Sequence, residues 1–140
     1  MEITEGHRRN IFTTLWLLDK ALCEFRLWAE GRECKSVLYE EVNNLTHSQR
    51  ADILRETEEI QGTLRVFQRE LQLECQVHGA AGSIISQTTG LWINLVELGS
   101  KYLRGYGEPS QELTRFLEPK VRELLRRVQR ISDIASQKAE

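Results

Sequence analysis

Few of the 140 residues could do chemistry at close range: three histidines, three cysteines and one glycine-rich stretch, Val77-His78-Gly79-Ala80-Ala81-Gly82-Ser83-Ile84-Ile85-Ser86-Gln87-Thr88-Thr89-Gly90. Glycines followed by hydroxyls are the material of a phosphate cradle. Such a loop needs a strand before its first glycine and a lysine with a hydroxyl after its last. Here a helical pattern precedes, and no lysine lies between Lys35 and Lys101, so a nucleotide-binding loop is set aside.

Metal chemistry has little to build on. Di-iron bundles take paired Glu-x-x-His elements from facing helices, whereas His7, His47 and His78 each stand without a helical histidine partner. No metal and no cofactor are expected. Cys23, Cys34 and Cys75 are an odd set with no C-x-x-C pair, which fits reduced thiols in a cytosolic protein. Acid–base or nucleophilic catalysis needs polar groups that converge. The carboxylates fall mostly off the apolar stripes, and Glu97 with Lys101 reads as an i,i+4 surface pair. No catalytic residue is expected, and the chain reads as non-enzymatic.

Two resemblances attach to the glycine-rich stretch. His78-Gly79-Ala80-Ala81-Gly82-Ser83 is loosely similar to the His-x-x-Lys-Gly-Ser signature of histidine-phosphotransfer domains, which are four-helix bundles presenting a histidine from one helix. That resemblance implies His78 as phospho-acceptor; Ala81 stands where the family has its lysine. Ala80-Ala81-Gly82-Ser83-Ile84-Ile85-Ser86-Gln87 is similar to the Ala-Ala-x-Ser-Ile-x-Ser-Asn stretch of the four-helix bundle family encoded by intervening sequences in ribosomal RNA genes. It implies that fold and small-residue helix packing.

Binding surfaces are the other source of function. Arg115, Arg122, Arg126 and Arg130 share one face of the last helix, with Lys120 and Arg127 nearby and Glu112, Glu118 and Glu123 diluting them. Arg122, Arg126, Arg127 and Arg130 are the candidates for contact with a nucleic-acid backbone. Against them stands the mainly acidic segment from Glu30 to Glu59, and opposite patches of this kind also mate two copies of one chain. Trp16, Trp28 and Trp92 are candidate interface anchors, since tryptophan is enriched among binding hot spots.

The elements that must carry these groups follow from apolar spacing. Ile11, Leu15, Leu18, Leu22 and Phe25 lie 4, 3, 4 and 3 apart, a helical stripe over about residues 8 to 29 that Gly31 ends. Val37 to Leu45 reads as a short helix or ordered connector. Thr46-His47-Ser48-Gln49 has the form of a capping box and opens a second helix along Ile53, Ile60, Leu64, Phe67 and Leu71. Seven residues beyond Leu71 lies His78. Gly79 to Ser83 reads as a joint, with Ser83 a candidate cap. A third helix follows through Ile84, Leu91, Leu95, Leu98 and Tyr102, with polar Gln87, Thr88 and Asn94 in or beside its seam. The stretch Arg104 to Pro109 ends it. A fourth runs through Leu117, Val121, Leu124, Val128, Ile131 and Ala135, with Pro119 a kink or a junction between two helices.

The expected fold is all-α: a mostly antiparallel four-helix bundle in one domain over residues 1–140. With 40% apolar and 29% charged residues and a net charge near −2, no global field draws nucleic acid or membrane to the surface. The N-terminus lacks a secretory apolar core, and no run of apolar residues is long enough to span a bilayer. The expectation is a cytoplasmic helical interaction or scaffold module that binds a protein partner or itself, with no membrane. Nucleic-acid association and phosphotransfer are the alternatives.

Overall fold

The computed structural model describes residues 1–138. It is mostly helical and divides into two compact units, residues 1–75 and 76–140.

In the first unit, α1 (Glu5–Ala29) and α2 (His47–Leu71) pack together as an antiparallel pair. Arg8 Nε donates to the Leu71 carbonyl at 3.2 Å, and Arg26 Nη2 donates to Gln61 Oε1 at 2.6 Å, which sets the two directions. Thr4 caps α1 by accepting from the His7 amide. Its other end closes through Gly31, at φ +101°: the Gly31 amide donates to Trp28 and the Arg32 amide to Leu27, so two carbonyls that the helix leaves open are satisfied. The capping box of α2 forms in both directions. Thr46 Oγ1 accepts from the Gln49 amide at 3.1 Å, and the Thr46 amide donates to Gln49 Oε1 at 2.9 Å.

The connector between these helices is ordered and is no helix. Strands β1 (Cys34–Lys35) and β2 (Glu40–Glu41) pair antiparallel, Cys34 with Glu41 and Lys35 with Glu40, around a turn closed by the Ser36 amide on the Tyr39 carbonyl. The sequence carries no alternation long enough to announce a strand, so this ribbon corrects the short-helix alternative. Asn43 fastens it to the end of α1, its amide nitrogen donating to the carbonyls of Trp28 and Arg32.

In the second unit, α3 (Ala80–Val96) packs against α5 (Gln111–Ala135), with α4 (Ser100–Leu103) and a 3-10 turn (Arg104–Tyr106) between them. Three boundaries differ from expectation. Gly79, extended, is the N-cap of α3, and Ser83 lies inside the helix, its amide donating to the Gly79 carbonyl at 3.2 Å. Ala80 and Ala81 explain this, alanine being the best helix former. α3 also stops at Val96 short of Tyr102, because Gly99 adopts an extended ψ and starts α4 afresh. Pro119 neither ends nor divides α5; one turn proceeds without the proline N–H.

Each unit has a thin core. Among the described residues Leu22, Ala29 and Leu71 are the buried apolar residues, all in the first unit with buried Thr57, and Thr88 is the buried residue of the second.

Candidate interaction surface

The seam between α1 and α2 takes Ile11, Leu15, Leu22 and Ala29 from one helix and Leu54, Thr57, Leu64 and Leu71 from the other. A second apolar line lies beside each of these. With about 100° between successive residues, Leu18 and Phe25 turn to one flank of α1 and Phe67 to the matching flank of α2, with half-buried Ile53 and Ile60 between that flank and the seam. Leu18, Phe25 and Phe67 are 37% to 41% exposed.

The second unit repeats the arrangement. Ile85, Thr88 and Leu95 of α3 meet Leu117, Val121, Leu125 and Val128 of α5, while Ile84 and Leu91 line one flank of α3, with Leu98 just past its end, and Leu124 and Ile131 line the same flank of α5. These five are 39% to 51% exposed. Both α-hairpins therefore cover a seam and leave apolar side chains exposed beside it, Leu18, Phe25 and Phe67 in the first and Ile84, Leu91, Leu98, Leu124 and Ile131 in the second.

The open flanks are poor in charge. On α1 the line runs His7, Asn10, Thr14, Leu18, Ala21, Phe25; on α3 it runs Ala80, Ile84, Gln87, Leu91, Asn94, Leu98. On α2 it includes Glu56 and Glu70, and on α5 it includes Lys120 and Arg127. A flank facing water for its own sake would carry many charges, as the outer faces of α2 and α5 do; α3 carries no charged residue on any face.

The second unit has two shallow grooves beside α5, the larger against the turn after α3 and α4, the smaller against α3. One, of about 410 Å³, is lined mainly by Leu98, Leu103, Leu117 and Val121, with Glu118 and Arg122 at its edge. The other, of about 290 Å³, lies among Thr88, Thr89, Trp92, Ile93, Val128 and Gln129.

The three tryptophans part company. Trp16 and Trp28 are half-buried: the Lys20 ammonium sits 4.7 Å over the Trp16 ring, and Phe25 stacks on Trp28 with ring centres 6.1 Å apart. Trp92 is exposed and forms a wall of the smaller groove. Of the arginines, Arg122, Arg126 and Arg130 are exposed on one line of α5, and Arg127 turns away from it. Arg126 pairs with Glu123 at 3.8 Å, and Arg122 Nε donates to the carbonyl of Glu118.

His78 does not lie on a helix. α2 ends at Leu71, where Gln72 adopts the left-handed conformation at φ 52° and turns the backbone out of the helical path, so a heptad counted beyond it has no helix to run on. The imidazole is exposed in the connector, with Nε2 3.2 Å from Gln76 Oε1.

The ribbon adds a feature that the spacing did not single out. Val37 and Leu38, at its turn, are almost fully exposed. Beside them the Tyr39 hydroxyl lies 3.5 Å from Cys34 Sγ, and that hydrogen bond, with charge on the sulfur, holds the phenol above its ordinary value of 10.0. Cys23, Cys34 and Cys75 are all free thiols. Among the described residues no group of three or more His, Cys, Asp or Glu could hold a metal ion, and no helix is long and apolar enough to cross a membrane.

The open stripes were partly legible. The sequence places Phe12, Trp16 and Trp28 beside the first helical stripe and Ile85, Trp92 and Val96 beside the third, but its stripes run seam and flank together, Leu15 and Leu22 with Leu18 and Phe25, because both share one spacing. Neither a family model nor a curated protein nor a solved structure matches the chain.

Proposed function

We propose that the protein is a non-enzymatic helical interaction module that works through the open flanks of its two α-hairpins, and that its working state is a four-helix bundle in which those flanks are covered. The observation that carries this reading is the line of exposed apolar side chains on one flank of each pair, Leu18, Phe25 and Phe67 in the first and Ile84, Leu91, Leu98, Leu124 and Ile131 in the second, with few charges among them. Burying the exposed half of a leucine or isoleucine is worth about 1 kcal/mol, so five such residues on one flank are a considerable driving force. Gln87 and Asn94 within the α3 line suit a register device, since an isolated polar residue in an apolar seam favours the alignment that pairs it. Free thiols on a chain without disulfides suit the reducing cytoplasm.

The arginine line supports nucleic-acid binding less well, because Arg122 and Arg126 already bond within their own helix and carboxylates interrupt the line.

Amide hydrogen exchange tests the bundle. Covered flanks slow exchange along α1, α2, α3 and α5 and leave little binding of a hydrophobic dye. Ile60→Glu with Leu91→Glu then strips that protection and raises dye binding, whereas Arg115→Glu, on the outer face, leaves both unchanged. Fast exchange and strong dye binding by the unaltered protein would refute the reading.

A further inference from the structure

We infer that the cover over these flanks is a second copy of the chain: the α1/α2 flank of each copy packs on the α3/α5 flank of the other, reciprocally, in a closed twofold dimer of two four-helix bundles. The inference rests on the flanks being binding surfaces and goes further by naming the occupant.

Charge selects the pairing. On the α1/α2 flank the ionised groups in the line are Glu56 and Glu70; on the α3/α5 flank they are Lys120 and Arg127. Lys120 and Arg127 are exposed, and so is Glu56. Packing either flank on its own kind sets like charges around a twofold axis, with nothing of opposite sign in the lines to answer them. Crossing the flanks sets two carboxylates against two cations within otherwise apolar rows. Charges placed in this way act mainly on register and on the choice of partner.

Area is the second argument. Helices of 25, 25, 17 and 25 residues rise 1.5 Å per residue and pack about 8 to 10 Å apart, so each flank offers roughly 600 Å². One such contact buries about 1,200 Å² in total, the lower edge of what a stable complex needs. Reciprocal exchange makes the contact twice, for about 2,400 Å², which falls in the range of permanent dimers. Twofold symmetry closes the contact and leaves no free flank from which a filament could grow. Residues 72–79 supply a joint for the exchange, eight residues without helix or strand that open on left-handed Gln72.

Charge reversal with mixing tests the idea. In sedimentation equilibrium at micromolar concentration the unaltered chain is expected to be a dimer. Glu56→Lys with Glu70→Lys in one preparation, and Lys120→Glu with Arg127→Glu in another, each weaken dimerisation by about tenfold or more, as loss of close charge pairs does. All four sites are exposed on helices, so the circular dichroism of each variant stays helical. Mixing the two preparations restores a dimer holding one copy of each, because one interface then carries the reversed pair and the other the original pair. A monomer whose flanks are nonetheless protected from exchange overturns the second copy and leaves the bundle standing. Variants that dimerise as tightly as the original chain, or that fail to recover on mixing, overturn the crossed pairing.

Discussion

At the scale of single residues, local chemistry decides most of what can be checked. Gly31 sits at φ +101°, a conformation that L residues rarely adopt, and a Cβ there would stand 3.2 Å from Arg50 Nη1. Gly31→Ala is therefore expected to destabilise the first unit by about 1–2 kcal/mol, read from urea unfolding, with helix content kept below the transition. The raised phenol of Tyr39 has a different origin, the Cys34 sulfur at 3.5 Å. Its effect on stability has a definite sign: a folded-state value above the unfolded one helps folding at lower pH, and the help is lost as pH rises through the folded value. That window lies above pH 10, so the contact does not regulate the protein near neutrality. His78, the most suggestive residue by type, stands exposed on a connector beside Gln76 rather than on a helix.

Secondary elements were legible wherever a local signal was complete. Thr46 and Gln49 bond each other's backbone as the capping box requires, and Thr46→Ala is expected to lower stability by about 1 kcal/mol, measured as a reduced urea midpoint with unchanged slope. Gly31 announces the end of α1 equally well. Boundaries failed where two signals competed. The glycines and hydroxyls around Ser83 suggested a joint, but Ala80 and Ala81 favour helix strongly enough to start α3 at once. Gly99, isolated in an otherwise helical run, proved a sharper stop than the stripe implied. The ribbon from Cys34 to Glu41 escaped notice because two residues per strand are too few to show a period.

For the molecule as a whole, the thin cores matter most. Leu22, at 1% exposed, is the one large apolar side chain among the described residues that is fully enclosed. Leu22→Ala is expected to cost about 2–5 kcal/mol, much of the stability of a domain this size, and differential scanning calorimetry would show it as a large fall in melting temperature. So strong a dependence on one leucine is what a hairpin with one covered side implies. The stripes on the uncovered sides then do for binding what a larger core does for folding: they supply apolar area, and the sparse charges among them select the partner.

Sequence alone determined that this chain is helical and where its main helices run, because those follow from spacing and residue type within a few turns. It placed apolar residues on stripes, but a stripe has the same period whether its neighbour covers it or water does. Only the tertiary structure separated Leu22 and Thr57 in the seam from Phe25 and Phe67 on the flank, since a helix buries only the side that another helix occupies.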